Sequence, residues 1–104
     1  MSFSVFHSAT FDKLLANFQN DFKILLDKIE DQLVINPYVG DPIKFPWFRE
    51  KKYRKYRVYY LIYEDLKAVY LVNISEKKDQ QRIINTILLL LDNLKEEIIN
   101  LVKK

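Results

Sequence analysis

The sequence predicts an α+β domain. An N-terminal strand leads into a helical hairpin, then a mostly antiparallel sheet of about four strands, then a long C-terminal helix. Three observations predict it. The apolar spacing is three or four residues between Phe11 and Val34. It changes to alternation or continuous apolar runs between Trp47 and Ile74. It then returns to helical spacing from Asp79 onward. Period identifies element type because helical side chains share a face every 3.6 residues and strand side chains every second residue.

Ser2 to His7 alternates, with Phe3, Val5 and His7 on one side, and reads as a short strand in which His7 is a strand-end polar residue. Thr10 is positioned to cap the following helix, with Lys13 in place of the glutamate that would complete a capping box. Phe11, Leu14, Leu15, Phe18 and Phe22 form one apolar face, and Leu25, Leu26, Ile29, Leu33 and Val34 extend it. The polar stretch Asn17 to Asp21 predicts a bend between two antiparallel helices; one long helix is the alternative.

Asn36-Pro37 ends the helical region, because proline pushes the residue before it out of the α basin. A turn-rich connector containing Gly40 and Pro42 leads to Ile43-Lys44-Phe45-Pro46. Strands are expected over Trp47–Tyr53, Tyr56–Glu64 and Ala68–Ile74, the last two joined by a tight turn at Glu64 to Lys67. On the middle strand, Arg57, Tyr59, Leu61 and Tyr63 take one face, and Tyr56, Val58, Tyr60 and Ile62 the other. The nearly continuous apolar character of the last strand predicts a central position covered, at least in part, on both faces. Ile84, Ile87, Leu91, Leu94, Ile98 and Leu101 step by 3, 4, 3, 4 and 3. That stripe predicts one helix of six to seven turns, about 35 Å at 1.5 Å per residue. A helix so long is expected to overrun its own sheet. Leu94, Ile98 and Leu101 are therefore expected to meet a second chain, either a copy of this one or a segment of another protein.

Composition bounds the chemistry. The 104 residues are read as one domain over 1–104, with 79–104 as its C-terminal helix. With no Cys there is no disulfide or thiolate site, with one His no multi-histidine metal centre, and with one Gly no phosphate loop or dinucleotide fingerprint. No cofactor and no metal are expected. No basic segment precedes an apolar run at the N-terminus, and no apolar run, Ile87 to Leu91 included, approaches the length of a membrane span. A cytoplasmic protein without membrane contact is the expectation. Charge is uneven: Lys44 to Arg57 carries seven basic residues and one acid, a net +6, in a chain whose total is only +3. A basic stripe on an acidic body faces either a polyanion or solvent at a protected strand edge.

Asn36-Pro37, the connector Gly40-Asp41-Pro42-Ile43-Lys44, the strand Tyr56-Arg57-Val58-Tyr59-Tyr60 and the stretch Ser75-Glu76-Lys77-Lys78-Asp79 occur in an order that resembles the RelE/ParE toxin superfamily of toxin–antitoxin systems. The resemblance spans the chain to about Asp79. It implies a toxin that cuts mRNA on translating ribosomes without metal, neutralised by a cognate antitoxin. The superfamily's other branch implies a gyrase inhibitor or a non-catalytic interaction module. Carried over by position, Arg57, Lys52 and Lys77 are the catalytic candidates, and Arg54, Lys51, Lys78 and Tyr59 the candidates for RNA or phosphate contact. The chain departs from the family pattern in having Lys77 for an arginine, Glu76 for a histidine, and Gln80 and Ile83 near the place of a terminal tyrosine.

Such residues suit the chemistry independently of the resemblance. Cleavage of RNA needs a proton acceptor for the ribose 2′-hydroxyl, cations for the charge growing on phosphorus, and an acid for the leaving 5′ oxygen. Clustered Lys and Arg supply the second requirement, and an arginine fork suits phosphate. Glu76 is a candidate base or a surface acid paired with Lys77 or Lys78. Arg57 is either a phosphate clamp with an exposed head group or a structural arginine on sheet-end carbonyls, and Lys55 serves as its control.

Overall fold

The computed structural model describes residues 2–104. Strand β1 (Ser4–His7) is followed by helices α1 (Ala9–Leu15) and α2 (Asn20–Ile35). Four strands follow: β2 (Asp41–Ile43), β3 (Phe45–Tyr53), β4 (Tyr56–Tyr63) and β5 (Ala68–Glu76). The chain closes with α3 (Gln80–Leu89) and α4 (Leu91–Val102).

The sheet has five strands in the order β1-β5-β4-β3-β2, not about four. The added strand is β2, three residues read from the sequence as connector; its Pro42 is tolerated because β2 is an edge. The pairs β2–β3, β3–β4 and β4–β5 are antiparallel. The pair β1–β5 is parallel, since the intervening helices and strands return the chain to the same side.

Both sheet faces are covered. Val58, Tyr60, Ile62, Val69 and Leu71 pack under the helical hairpin through Phe11, Phe22, Leu26, Ile29 and Leu33. On the opposite face Phe48, Tyr59, Leu61, Tyr70 and Val72 pack under Ile84, Ile87, Leu94 and Ile98. The face assignment of β4 follows the alternation in the sequence, and β4 and β5 are the central strands. A bulge at Tyr59/Tyr60 shifts the register with β5, so that Asn73 opposes Tyr59 and Leu71 opposes Tyr60.

Local chemistry corrects one boundary. Ser8, not Thr10, caps α1: its hydroxyl oxygen accepts the Phe11 amide at 3.0 Å, and Thr10 lies inside the helix. The bend at Asn17 to Asp21 does separate two helices.

The C-terminal segment is two helices rather than one. Leu90 leaves helical geometry at φ −102° and ψ 7°, its N–H bonds the Ile87 carbonyl at 3.0 Å, and its carbonyl accepts the Leu94 amide at 2.9 Å. A straight helix of that length, about 35 Å, would exceed the longest dimension of the molecule, 33 Å. The break folds the second half back onto the sheet. Leu94 and Ile98, expected to meet another chain, are instead 7% and 0% exposed in their own core, and Leu101 packs at its margin. The stripe is used internally and is not free for a homodimer contact. No helix is long and apolar enough to cross a membrane among the described residues.

Candidate functional site

The basic residues gather at the end of the sheet formed by the β3–β4 turn. Tyr53 pairs with Tyr56 across a two-residue turn in which Arg54 adopts φ 54°. The segment Lys77–Asp79, one turn of 3-10 helix after β5, lies against that tip: the Lys77 amide bonds the Lys55 carbonyl at 2.6 Å. Two basic stretches some twenty residues apart in sequence thus share one end of the molecule.

Two cross-strand rows run inward from this end on the face covered by α3 and α4. Lys52 opposes Arg57, which opposes Ser75; next to them Glu50 opposes Tyr59, which opposes Asn73. Directly paired strand residues present their side chains on one face, so these residues converge.

Arg57 is 7% exposed, which corrects the expectation of an exposed head group. One guanidinium nitrogen donates to the carbonyls of Arg54 at 3.1 Å and Tyr56 at 2.9 Å, so the arginine ties the hairpin turn to its own strand. Among the described residues its Nε is the one buried side-chain nitrogen or oxygen without a partner. The side chain therefore combines the structural role with one unspent donor.

Tyr59 is fully buried, which removes it as a surface for stacking bases. Its hydroxyl lies 2.8 Å from Ser75 Oγ, and Ser75 in turn donates to the Glu76 carbonyl at 3.0 Å, so Tyr59 donates to Ser75. Burial is the main reason its hydroxyl titrates above the ordinary tyrosine value; Glu50 and Asp79 add to the rise, while the Ser75 bond and the Arg57 charge oppose it. Glu50 is buried, and its carboxylate accepts from Gln80 Nε2 at 2.6 Å.

The remaining candidates separate. Lys52 is exposed, with its ammonium 3.4 Å from Asp41. Lys77 and Lys78 are exposed beside the hairpin tip. Lys51 opposes Val58 and so faces the helical hairpin, away from Lys52 and Arg57. Arg54 sits at the turn with its guanidinium 5.2 Å from the Tyr53 ring centre. Lys55, the intended control, is in the turn itself, 5.5 Å over the Tyr56 ring and 3.6 Å from Glu76. Glu76 thus pairs with Lys55 and not with Lys77 or Lys78. Ile83, one of two stand-ins for a terminal tyrosine, is a core residue.

Sequence reasoning did not assign Glu50 or Ser75 to the site, and it placed Gln80 only as a stand-in for a terminal tyrosine. Glu50 had a visible signal: it is the one acid in the basic run and lies two residues from Lys52, on the same strand face. Nothing in the sequence joins Ser75 or Gln80 to Glu50; strand pairing and the placement of α3 bring them together.

No family model matches the chain, and no curated protein matches its sequence. Solved structures do match in shape. A free, doubly mutated Escherichia coli RelE toxin superposes with a TM-score of 0.69 at 14% identity, covering 78% of this chain and 90% of that one. The intact E. coli RelBE toxin–antitoxin complex gives 0.65 at 14% identity, over 72% of this chain and 96% of its match. The RelBE2 toxin–antitoxin complex of Mycobacterium tuberculosis gives 0.64 at 16% identity, over 73% and 99%. The chain has the fold of the RelE toxins.

Proposed function

We propose that this chain is the toxin of a toxin–antitoxin pair and cleaves mRNA on the ribosome as a metal-independent endoribonuclease. The observation that carries the reading is the Lys52–Arg57–Ser75 row, set beside the exposed Lys77 and Lys78 on a RelE-like sheet. In this reading Lys52 and Lys77 are the cations that meet the scissile phosphate. Arg57 adds positive charge from beneath and holds the hairpin that carries Lys52. Lys78 and Arg54 flank the strand of RNA. Glu50, two residues along β3 from Lys52, accepts the proton of the 2′-hydroxyl as its oxygen attacks phosphorus, the bond to the 5′ oxygen breaks, and the Lys77 ammonium gives that leaving oxygen its proton. Gln80 orients that carboxylate. Lys51 and Tyr59 belong to packing and support. The partner is a cognate antitoxin, as the RelE proteins of the matched complexes have in RelB.

One observation favours a second reading. Arg57 bonds main-chain carbonyls and Tyr59 is buried, which suits an interaction module or a ParE-type gyrase inhibitor that cuts no RNA. The test is induced expression with and without the neighbouring gene, together with mapping of mRNA 5′ ends in the presence of ribosomes. The nuclease reading expects growth arrest and new 5′ ends. Lys52→Ala or Glu50→Gln should then lower cleavage by about 10²-fold, the scale of losing one charge-stabilising or proton-transfer group. Lys55→Ala should act near wild type. Growth arrest with intact mRNA and altered DNA supercoiling would select the gyrase reading.

A further inference from the structure

A cleft of about 440 Å³ opens on the other side of the hairpin tip, between the α1–α2 bend and the β3–β4 turn. We propose that it is a second RNA contact, a pocket that takes one unstacked base of a single-stranded RNA. The proposal goes beyond the cleavage site and rests on that reading only for the identity of the polymer.

The walls are aromatic. Phe18 and Phe22 stack with ring centres 4.2 Å apart, Tyr56 meets Phe18 edge-on at 5.0 Å, and Tyr53 meets Phe22 edge-on at 5.8 Å. Phe18, Tyr53 and Tyr56 are only half-buried, so part of their ring surface faces the cleft. The Arg54 guanidinium already lies 5.2 Å from the Tyr53 ring centre, a stack to which the plane of a base adds. The mouth carries amides, Asn17 and Gln19, which donate to and accept from base edges. Asp21 is the acid of the lining; one of its oxygens is taken by the Phe22 amide, leaving the other for a base amino group.

Charge selects a nucleic acid over an apolar peptide. Arg54 sits at the tip, and Lys51 faces this side of the sheet. Aromatic faces between cations are the arrangement that single-stranded polynucleotides require, rings for bases and ammonium or guanidinium groups for phosphates. The cleft and the Lys52–Arg57 row lie on opposite faces of the same hairpin, so a strand passing over its tip touches both. This gives a role to Lys51, which the cleavage reading leaves unused, and a stacking role to Arg54 beside its phosphate contact.

The experiment measures binding of the full chain to hexaadenylate and to an abasic ribose-phosphate of the same length. It compares the wild type, Tyr53→Leu, Arg54→Ser, and a row variant carrying Lys52→Ala with Lys77→Ala. Thermal melting confirms that each variant folds; Tyr53→Leu keeps an apolar side chain against Phe22. The pocket predicts that Tyr53→Leu weakens hexaadenylate binding about tenfold, the scale of one lost base–aromatic stack, and leaves abasic binding unchanged. Photo-crosslinks should map to residues 17–22 and 53–56. Base-dependent binding by a protein that cuts no mRNA upholds the pocket and removes the nuclease reading. Pocket variants that bind both ligands as the wild type does, while the row variant loses binding, overturn the pocket and leave the nuclease reading standing. Loss of neutralisation by the neighbouring gene product with RNA binding intact overturns it in favour of a protein partner.

Discussion

Gly40 has no room for a side chain. A Cβ there would lie 2.6 Å from the Glu50 carbonyl oxygen and 2.6 Å from the Tyr60 hydroxyl, and the first of these is backbone in the sheet. The Tyr60 hydroxyl donates to the Pro37 carbonyl at 2.7 Å and accepts the Gly40 amide at 3.0 Å, pinning the connector to β4. Burial pushes its pKa up to about 12, so the hydroxyl keeps its proton through the physiological range. Gly40→Ala is expected to destabilise by about 1–3 kcal/mol, the usual cost of overpacking, with a lower urea midpoint as the readout. Arg57 makes a second residue-level prediction. Because its guanidinium closes the hairpin turn, Arg57→Ala is expected to cost about 1 kcal/mol of folding stability by leaving two part-buried carbonyls without their donor. Chemical denaturation measures this separately from activity. A stability equal to wild type would mean that the arginine is held for phosphate alone.

At the scale of elements, His7 joins three of them. From the end of β1, its Nδ1 lies 2.9 Å from Asp12 in α1, and its Nε2 contacts Glu30 in α2 at 2.5 Å. The hydrogen bond to Glu30 raises its pKa most, and Asp12 adds to the rise against the opposing effect of burial. A histidine with a raised folded pKa stabilises fully below its unfolded value of 6.5. That contribution fades as pH rises through the folded value. His7→Gln should therefore lower stability by about 1 kcal/mol at pH 6, given the partial exposure of the pair, and by much less at pH 9. Urea titrations at the two pH values check it. Equal losses at both would assign the effect to packing against Phe11.

For the whole molecule, the two-layer cover explains why the terminal helices break. Ile98 is fully buried against the sheet, so Ile98→Ala should cost about 2–5 kcal/mol as a core cavity, while the wild-type chain alone sediments as a monomer. A dimer whose dissociation follows Ile98→Ala without loss of monomer stability would contradict the internal packing. The charge layout makes a second prediction at this scale. Four of the exposed cations at the hairpin end, Lys52, Arg54, Lys77 and Lys78, are not held by Glu76 as Lys55 is. If each meets a phosphate, the affinity for single-stranded RNA should fall with a log–log salt slope of about −3, measurable by binding at several ionic strengths.

The sequence by itself determined element type, strand faces and the antiparallel pairing of the central strands. It also located the basic hairpin, because side-chain period and turn chemistry are local properties. It showed that Arg57, Tyr59 and Leu61 share a face, and it placed Lys51 next to Lys52 in the chain. That the two lysines point to opposite sides follows once the hairpin register with Arg57 and Val58 is known. Tertiary structure decided the rest. The edge strand β2 forms because β3 offers it partners, and its three residues carry no period of their own. The break at Leu90 arises from the limited length of the sheet, in a segment whose apolar spacing continues unbroken through it. The burial of Tyr59 depends on the α3 layer above it, and the convergence of Glu50, Ser75 and Gln80 depends on pairings between segments distant in sequence. Periodicity tells which way a side chain points; what lies on that side is set only when the distant layers close.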